Sequence, residues 1–181
     1  MKVHEYQGRN LFVEYGIPTA VGDVADTVDG AKAIAAKTGY PVVIKAQVLV
    51  GGRGKAGGVK VVSNEDDLAS EIPLLKNLNI KGYTVEKLLI ARAIDIKKEY
   101  YVSVTIDNVK GDVVIIASAD GGVEIEETAK TNPEKIIKFY MQGARTLNEA
   151  RWAPVAAQLF SDVRLQKSAT AIIEKLFKLF F

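Results

Sequence analysis

Residues 42–62 read VVIKAQVLVGGRGKAGGVKVV, and this stretch decides the fold. The run from Val42 to Val48 is too short and too rich in β-branched side chains for a helix, so it predicts a strand. Residues 59–62 begin with alternating apolar and charged side chains, which predicts a second strand. Between them, positions 51–58 hold five glycines and two cations, Arg53 and Lys55. The stretch predicts two strands joined by a flexible, positively charged loop.

The glycine-rich loop has the composition of a phosphate-binding loop. Glycine lets backbone N–H groups approach an anion closely, and Arg53 and Lys55 supply positive charge. Gly52, Gly54 and Gly57 also match the dinucleotide-binding fingerprint, but that loop must open a helix, whereas a strand follows here. A Walker A loop is excluded because no Gly-Lys pair precedes Ser or Thr. Two interpretations remain: a hairpin flap that closes over a triphosphate, and an ordinary mobile hairpin tip.

Lys45 stands inside the apolar run that precedes the loop. An unpaired ammonium group is costly there unless an anion or a carboxylate receives it, and a nucleotide phosphate is a natural receiver. The alternative is an edge-strand lysine whose amine reaches water. In protein kinases the glycine-rich loop comes before the strand lysine. Here the lysine comes first, which indicates a different nucleotide-binding fold.

Helix and strand signals alternate along the rest of the chain, so the fold class is mixed α and β. The patterns predict helices over Tyr6–Tyr15 and Val28–Lys37, a helix that begins at a Ser63/Asp66 capping box and runs through Leu78, and a helix from Glu134. A last helix is predicted from an apolar stripe near the end of the chain: Leu165, Ala169, Ile172, Ile173, Leu176 and Phe180. They predict strands over Tyr83–Ile90, Tyr100–Ile106 and Asp112–Ser118.

Composition excludes several classes of protein. The chain has 181 residues, 48% of them apolar, and a net charge of +2, which is too near neutral for a protein that coats nucleic acid or an anionic membrane. The absence of cysteine excludes disulfides and thiolate zinc sites. The one histidine, His4, lies at a predicted helix entry and is not expected to be a catalytic relay. No signal peptide or membrane span is recognisable, so we expect a cytoplasmic protein, or a mitochondrial matrix protein in a eukaryote.

Several segments together identify a family. His4-Glu5-Tyr6-Gln7, the stretch from Val43 through Lys60, Asp95–Tyr101 and Gly121–Glu126 occur in the order and spacing of one group of acyl-CoA ligases. From end to end the chain resembles the β subunit of succinyl-CoA synthetase, the ADP-forming succinate–CoA ligase. Malate–CoA ligase and part of ATP-citrate lyase belong to the same group.

The resemblance implies an ATP-grasp fold of two α/β lobes that hold ATP between them. It implies a small lobe over residues 20–93 and an incomplete larger lobe over 1–19 and 94–181. It also implies nucleotide contacts from Lys45, Gly52, Arg53, Gly54, a backbone group of Ile94, and Glu99. One departure concerns Ala91, where the family usually carries a glutamate that holds the nucleoside, so ATP and GTP both stay open.

The resemblance also implies a reaction and a partner. In the family, ATP phosphorylates a histidine of the α subunit, the phosphoryl group passes to succinate, and CoA completes succinyl-CoA within an αβ heterodimer or heterotetramer. The family's Mg²⁺ ligands correspond to positions beyond Phe181, so we expect an N-terminal piece that is inactive alone. No catalytic or metal-binding residue is assigned, and Glu124 and Glu126 receive no role. A non-catalytic interaction module and a malate–CoA ligase β subunit are the alternatives.

Overall fold

The structure is a computed structural model that describes residues 2–122, 125–145 and 149–181. It divides into two compact units: unit 1 holds the N-terminal residues through Val13 and Pro18–Asp95, and unit 2 holds Glu14–Ile17 and Ile96–Phe181. Residues 1–19 are predicted to belong to the larger lobe, and the lobe bounds stay a prediction. Within unit 1, Tyr6 N donates a hydrogen bond to Gln47 Oε1 at 3.1 Å.

Unit 1 is built around one antiparallel sheet. Its elements are α1 (Glu5–Glu14), β1 (Gly22–Ala25), α2 (Val28–Thr38), β2 (Val42–Gln47), β3 (Val59–Val62), α3 (Glu65–Lys76), β4 (Asn79–Ile80), β5 (Tyr83–Thr84) and β6 (Lys87–Arg92). The four-stranded sheet has the order β1-β6-β2-β3, and β4 and β5 form a separate pair. The predicted strand–loop–strand arrangement of residues 42–62 is confirmed, since Val42 pairs with Val62 and Lys45 with Val59.

The side chains of strand β2 alternate between the core and the opposite face of the sheet. Val42, Ile44 and Ala46 are fully buried, whereas Val43 and Lys45 between them are only half-buried. This alternation follows from the strand period of two, which sends successive side chains to opposite faces. The buried members join the core formed with α2 and α3, where Ala31, Leu68 and other apolar residues are also buried. Lys45 therefore projects from the face opposite this core.

Helix α3 begins one residue later than the predicted capping box implies. Its N-cap is Asn64, whose Oδ1 accepts a hydrogen bond from Asp67 N at 2.8 Å. The prediction of Ser63 as the cap was wrong. Asparagine is at least as good an N-cap as serine, and the sequence offers both residues side by side.

Unit 2 also centres on an antiparallel sheet. Its elements are β7 (Tyr101–Asp107), β8 (Asp112–Ser118), α4 (Ile125–Thr131), a 3₁₀ turn (Pro133–Lys135), β9 (Ile137–Tyr140), α5 (Glu149–Leu159) and α6 (Val163–Phe180). The sheet order is β7-β8-β9. Its core combines residues of β8 with Trp152 on α5 and with Ile173 and Phe177 on α6.

One local prediction in unit 2 was wrong. The helix expected from Glu134 is only the 3₁₀ turn, because Ile137–Tyr140 instead pairs with β8. The error concerns a short segment in which pairing with a distant strand overrides local preference. In the segment Gly121–Glu126, α4 begins at Ile125, and Val123 and Glu124 lie outside the described residues.

Helix α6 buries a different face from the predicted stripe. Thr170, Ile173 and Phe177 are the buried residues, whereas Leu165 and Ile172 are 50% and 37% exposed. Only part of the apolar stripe therefore faces the core of unit 2. None of the described helices combines the length and the apolar character needed to cross a bilayer.

Candidate functional site

One carboxylate joins the two cations that the sequence analysis placed at the nucleotide phosphates. Glu5 Oε1 accepts a hydrogen bond from Lys45 Nζ at 2.9 Å, and Glu5 Oε2 pairs with Arg53 Nη2 at 2.7 Å. The three side chains come from the start of α1, from β2 and from the glycine-rich loop. They are 29%, 32% and 23% exposed, respectively, so water reaches the cluster without surrounding it. We call Glu5, Lys45 and Arg53 the Glu5 cluster.

The Glu5 carboxylate is stabilised in its charged form. Its burial raises its pKa, but the hydrogen bonds and positive charges of Lys45 and Arg53 together outweigh burial, so the pKa lies below its ordinary value. At neutral pH the cluster contains one negative and two positive charges. A net positive charge remains, which attracts an anion such as phosphate.

The base of the loop is tied to the strand that carries Lys45. Arg53 Nη1 donates to Ala46 O at 3.0 Å, Gly58 N donates to Arg53 O at 2.8 Å, and Ala46 N donates to Gly58 O at 2.8 Å. These bonds hold Arg53 beside β2. A Cβ at Gly58 would lie 2.8 Å from Ile80 Cδ1 and 3.1 Å from Arg53 O, so a side chain there would require these neighbours to shift.

The tip of the loop is open. Apart from the adjoining residues in the chain, no described residue lies within 4 Å of a Cβ built at Gly51 or Gly54. Gly52 has a φ of +82°, a conformation that other residues rarely adopt. The backbone at the tip can therefore be approached closely from outside, as phosphate binding by N–H groups requires.

The structure brings together four of the six predicted nucleotide-binding residues: Lys45, Gly52, Arg53 and Gly54. A fifth, Ile94, also belongs to unit 1, just beyond β6, and its side chain is 62% exposed. Ala91 lies within β6, where it is buried and pairs with Gly22. A Cβ at Gly22 would come within 2.7 Å of Ala91 Cβ, so this part of the sheet is closely packed.

The sixth predicted residue, Glu99, belongs to unit 2. It lines a cavity of about 530 Å³ together with Lys97, Lys98, Asp120 and other residues of that unit. Gly121 N donates a hydrogen bond to Glu99 O at 3.1 Å. Asp120 accepts a hydrogen bond from Lys135 at 2.8 Å, and that bond lowers the pKa of Asp120. The nucleotide contacts of all six residues stay predictions.

Glu5 was not predicted from the sequence. The Lys45 ammonium group needs a phosphate or a carboxylate to receive it, but no local signal identifies a carboxylate 40 residues earlier in the chain. Its neighbour His4 is half-buried, and its ring stacks on Tyr6 with centroids 5.8 Å apart. Among residues 2–122, 125–145 and 149–181, no three His, Asp or Glu side chains lie together as a metal-binding group. We therefore assign no Mg²⁺ ligand.

The chain is similar in sequence to known ligase subunits. The family model for the ATP-grasp domain matches residues 2–181. The succinate–CoA ligase [ADP-forming] β subunit of Chloroflexus aurantiacus is 54% identical over 139 residues, which cover 77% of this chain and 37% of that protein. The same subunit of Bacteroides thetaiotaomicron is 42% identical over 181 residues, which cover 99% of this chain and 48% of that protein. The chain spans less than half the length of these curated relatives.

A solved structure shows the same fold. The dinucleotide forming acetyl-coenzyme A synthetase 1 of Ca. Korarchaeum cryptofilum, in complex with coenzyme A and Ca-AMPCP, superposes with a TM-score of 0.75 at 19% identity, over 96% of this chain and 78% of that one. The predicted fold and the predicted resemblance to succinate–CoA ligase β subunits are confirmed.

Proposed function

Because this chain belongs to the ATP-grasp family, we propose that its glycine-rich loop and Lys45 bind the phosphates of ATP. The observation that carries the proposal is the Glu5 cluster, in which two cations from separate elements meet beside a loop with an open glycine tip. Lys45 and Arg53 offset the negative charge of the phosphates, and the backbone N–H groups near Gly54 donate hydrogen bonds to phosphate oxygens.

We further propose that the chain is the ATP-binding part of a succinate–CoA ligase β subunit. In that role it presents ATP to an α-subunit histidine, which passes the phosphoryl group to succinate before CoA forms succinyl-CoA. The likeness to the β subunits of Chloroflexus and Bacteroides supports this assignment. Partnership with an α subunit, inactivity of this chain alone, dependence on Mg²⁺ and a cytoplasmic location belong to the same proposal. A malate–CoA ligase β subunit would use the same phosphate-binding residues.

Isothermal titration calorimetry with ATP, with and without Mg²⁺, tests the binding proposal. We expect Lys45→Ala to weaken ATP binding about tenfold or more, because a charge-assisted contact to phosphate is lost. Lys37→Ala is the matched control, since Lys37 is an exposed lysine of α2 in the same unit. ATP binding that is undetectable in the wild type, or unchanged by Lys45→Ala, contradicts the proposal.

A second pair of variants tests the loop backbone. Gly54→Ala and Gly51→Ala both place a methyl group in open space, so neither is expected to change the melting temperature. Only Gly54 belongs to the predicted phosphate contacts, and we expect Gly54→Ala alone to weaken ATP binding.

A melting temperature that ATP does not shift, together with a mass that rises with protein concentration, would favour the alternative of an interaction module.

A further inference from the structure

We propose that Glu5 is a positioning residue that holds Lys45 and Arg53 at the spacing needed to receive a phosphate group. The inference rests on the proposed function, because it assigns the phosphate of a nucleotide as the ligand of these two cations. Glu5 itself is not proposed to touch the nucleotide.

The geometry of the cluster supports this role. Each oxygen of the Glu5 carboxylate contacts one cation, Lys45 at 2.9 Å and Arg53 at 2.7 Å. Without Glu5, two positive charges would face each other in a partly buried place, and their repulsion would move the flexible side chains apart. A single carboxylate thus fixes both cations relative to α1.

The cations keep donors for a phosphate while they are bound to Glu5. An ammonium group has three N–H donors and a guanidinium group has five. Among the contacts of the described residues, Lys45 donates to Glu5, and Arg53 contacts Glu5 and Ala46 O. A phosphate can therefore bind both cations without displacing the carboxylate.

The opposite role for Glu5 is that of a competing anion. A carboxylate edge and a phosphate edge both present two oxygens, so Glu5 would then occupy the place of the phosphate and leave it on binding. The two roles predict opposite effects of removing Glu5 on ATP binding. Removal of a positioning residue weakens ATP binding, whereas removal of a competitor strengthens it. The remaining donors of Lys45 and Arg53, together with the bond from Arg53 to Ala46, favour positioning.

Glu5→Gln tests the proposal, because the amide keeps the size of the side chain and removes its charge. We expect it to weaken ATP binding about tenfold in calorimetry. Glu65→Gln is the matched control, since it removes the charge from a carboxylate that pairs with Lys32 at 2.9 Å in the same unit. We expect that variant to bind ATP as the wild type does. Equal or tighter ATP binding by Glu5→Gln overturns the proposal.

A double-mutant cycle separates positioning from a general loss of structure. If Glu5 acts through the two cations, Glu5→Gln has less than about a twofold effect on ATP binding in a protein that already carries Lys45→Met and Arg53→Met. An undiminished tenfold effect in that background overturns the role of Glu5 as a positioning residue.

Amide hydrogen exchange without nucleotide keeps the test independent of the proposed function. We expect the amides of Ala56 and Gly58, which bond to Gly52 O and Arg53 O, to exchange faster in Glu5→Gln than in Glu65→Gln. Equal exchange overturns the inference. Faster exchange in a protein whose wild type binds no ATP would support the positioning of Arg53 and contradict only the proposed function. Should Glu5→Gln not fold, Glu5→Asp keeps the charge but shortens the reach of the carboxylate to the two cations, and the same amides are measured in that variant.

Discussion

The carboxylate of Glu99 occupies the space that a Cβ atom would need at Gly122. Gly122 also has a φ of +72°, and the preceding Gly121 leaves no room for a side chain, since its Cβ would lie 2.5 Å from the carbonyl carbon of Glu99. The two glycines therefore leave free the space that Glu99 occupies within unit 2.

Gly122→Ala is expected to displace the Glu99 side chain. The left-handed backbone costs an L-residue about 1–2 kcal/mol, whereas the exposed Glu99 carboxylate can swing aside at little further cost. Gly111→Ala is the control, because Gly111 has a φ of +62° and no described residue meets its Cβ within 4 Å. Urea denaturation should therefore show similar losses of unfolding free energy for the two variants. A loss for Gly122→Ala that exceeds the loss for Gly111→Ala by more than about 1 kcal/mol would contradict the free movement of Glu99.

The ion pairs of Glu5 predict a pH-dependent contribution to stability. Because the folded protein lowers the pKa of Glu5, the contribution is fully present above the pKa of the unfolded chain and is lost as the pH falls through the folded pKa. At pH 7 we expect the free energy of unfolding of the wild type to be about 1 kcal/mol higher than that of Glu5→Gln, since the ion pairs are only partly buried. Urea denaturation from pH 7 to pH 3 measures the difference, and a constant difference over that range would argue against the ion pairs.

Two neighbouring residues, Ser63 and Asn64, differ in their expected contribution to the N-cap of α3. Asn64→Ala removes the acceptor for Asp67 N and should destabilise unit 1 by about 1 kcal/mol. Ser63→Ala should change the free energy of unfolding by less than about 0.5 kcal/mol. Thermal denaturation followed by circular dichroism compares the two. A larger effect of Ser63→Ala would restore the capping box that the sequence suggested.

Trp152 reports on the core of unit 2. It is the single tryptophan and it is fully buried, with Phe139 packed edge-on at 6.0 Å between ring centroids. We expect blue-shifted fluorescence that moves to longer wavelength on unfolding. Trp152→Ala should cost about 3–5 kcal/mol, and Trp152→Phe less, because Phe keeps an aromatic ring in the site. Emission typical of exposed tryptophan in the native protein would contradict this core.

Local signals in the sequence predicted the site better than distant ones. Strands Val59–Val62 and Asp112–Ser118 were predicted with their observed bounds, and Lys45 and the loop were identified from their own neighbours. Glu5 could not be identified in this way, because its contact with Lys45 depends on how α1 approaches β2. The place of β6 between β1 and β2 likewise depends on long-range pairing.

The alternation along β2 limits which changes of length this part of the chain can accept. Deletion of one residue between Val42 and Lys45 would turn every later side chain of the strand to the other face, so the ammonium group would enter the core and Ile44 would lose its buried place. Substitutions at Val43, which is half-buried, leave that order intact. Insertions and deletions should be tolerated better in exposed turns such as the one at Val109–Gly111 than within this strand.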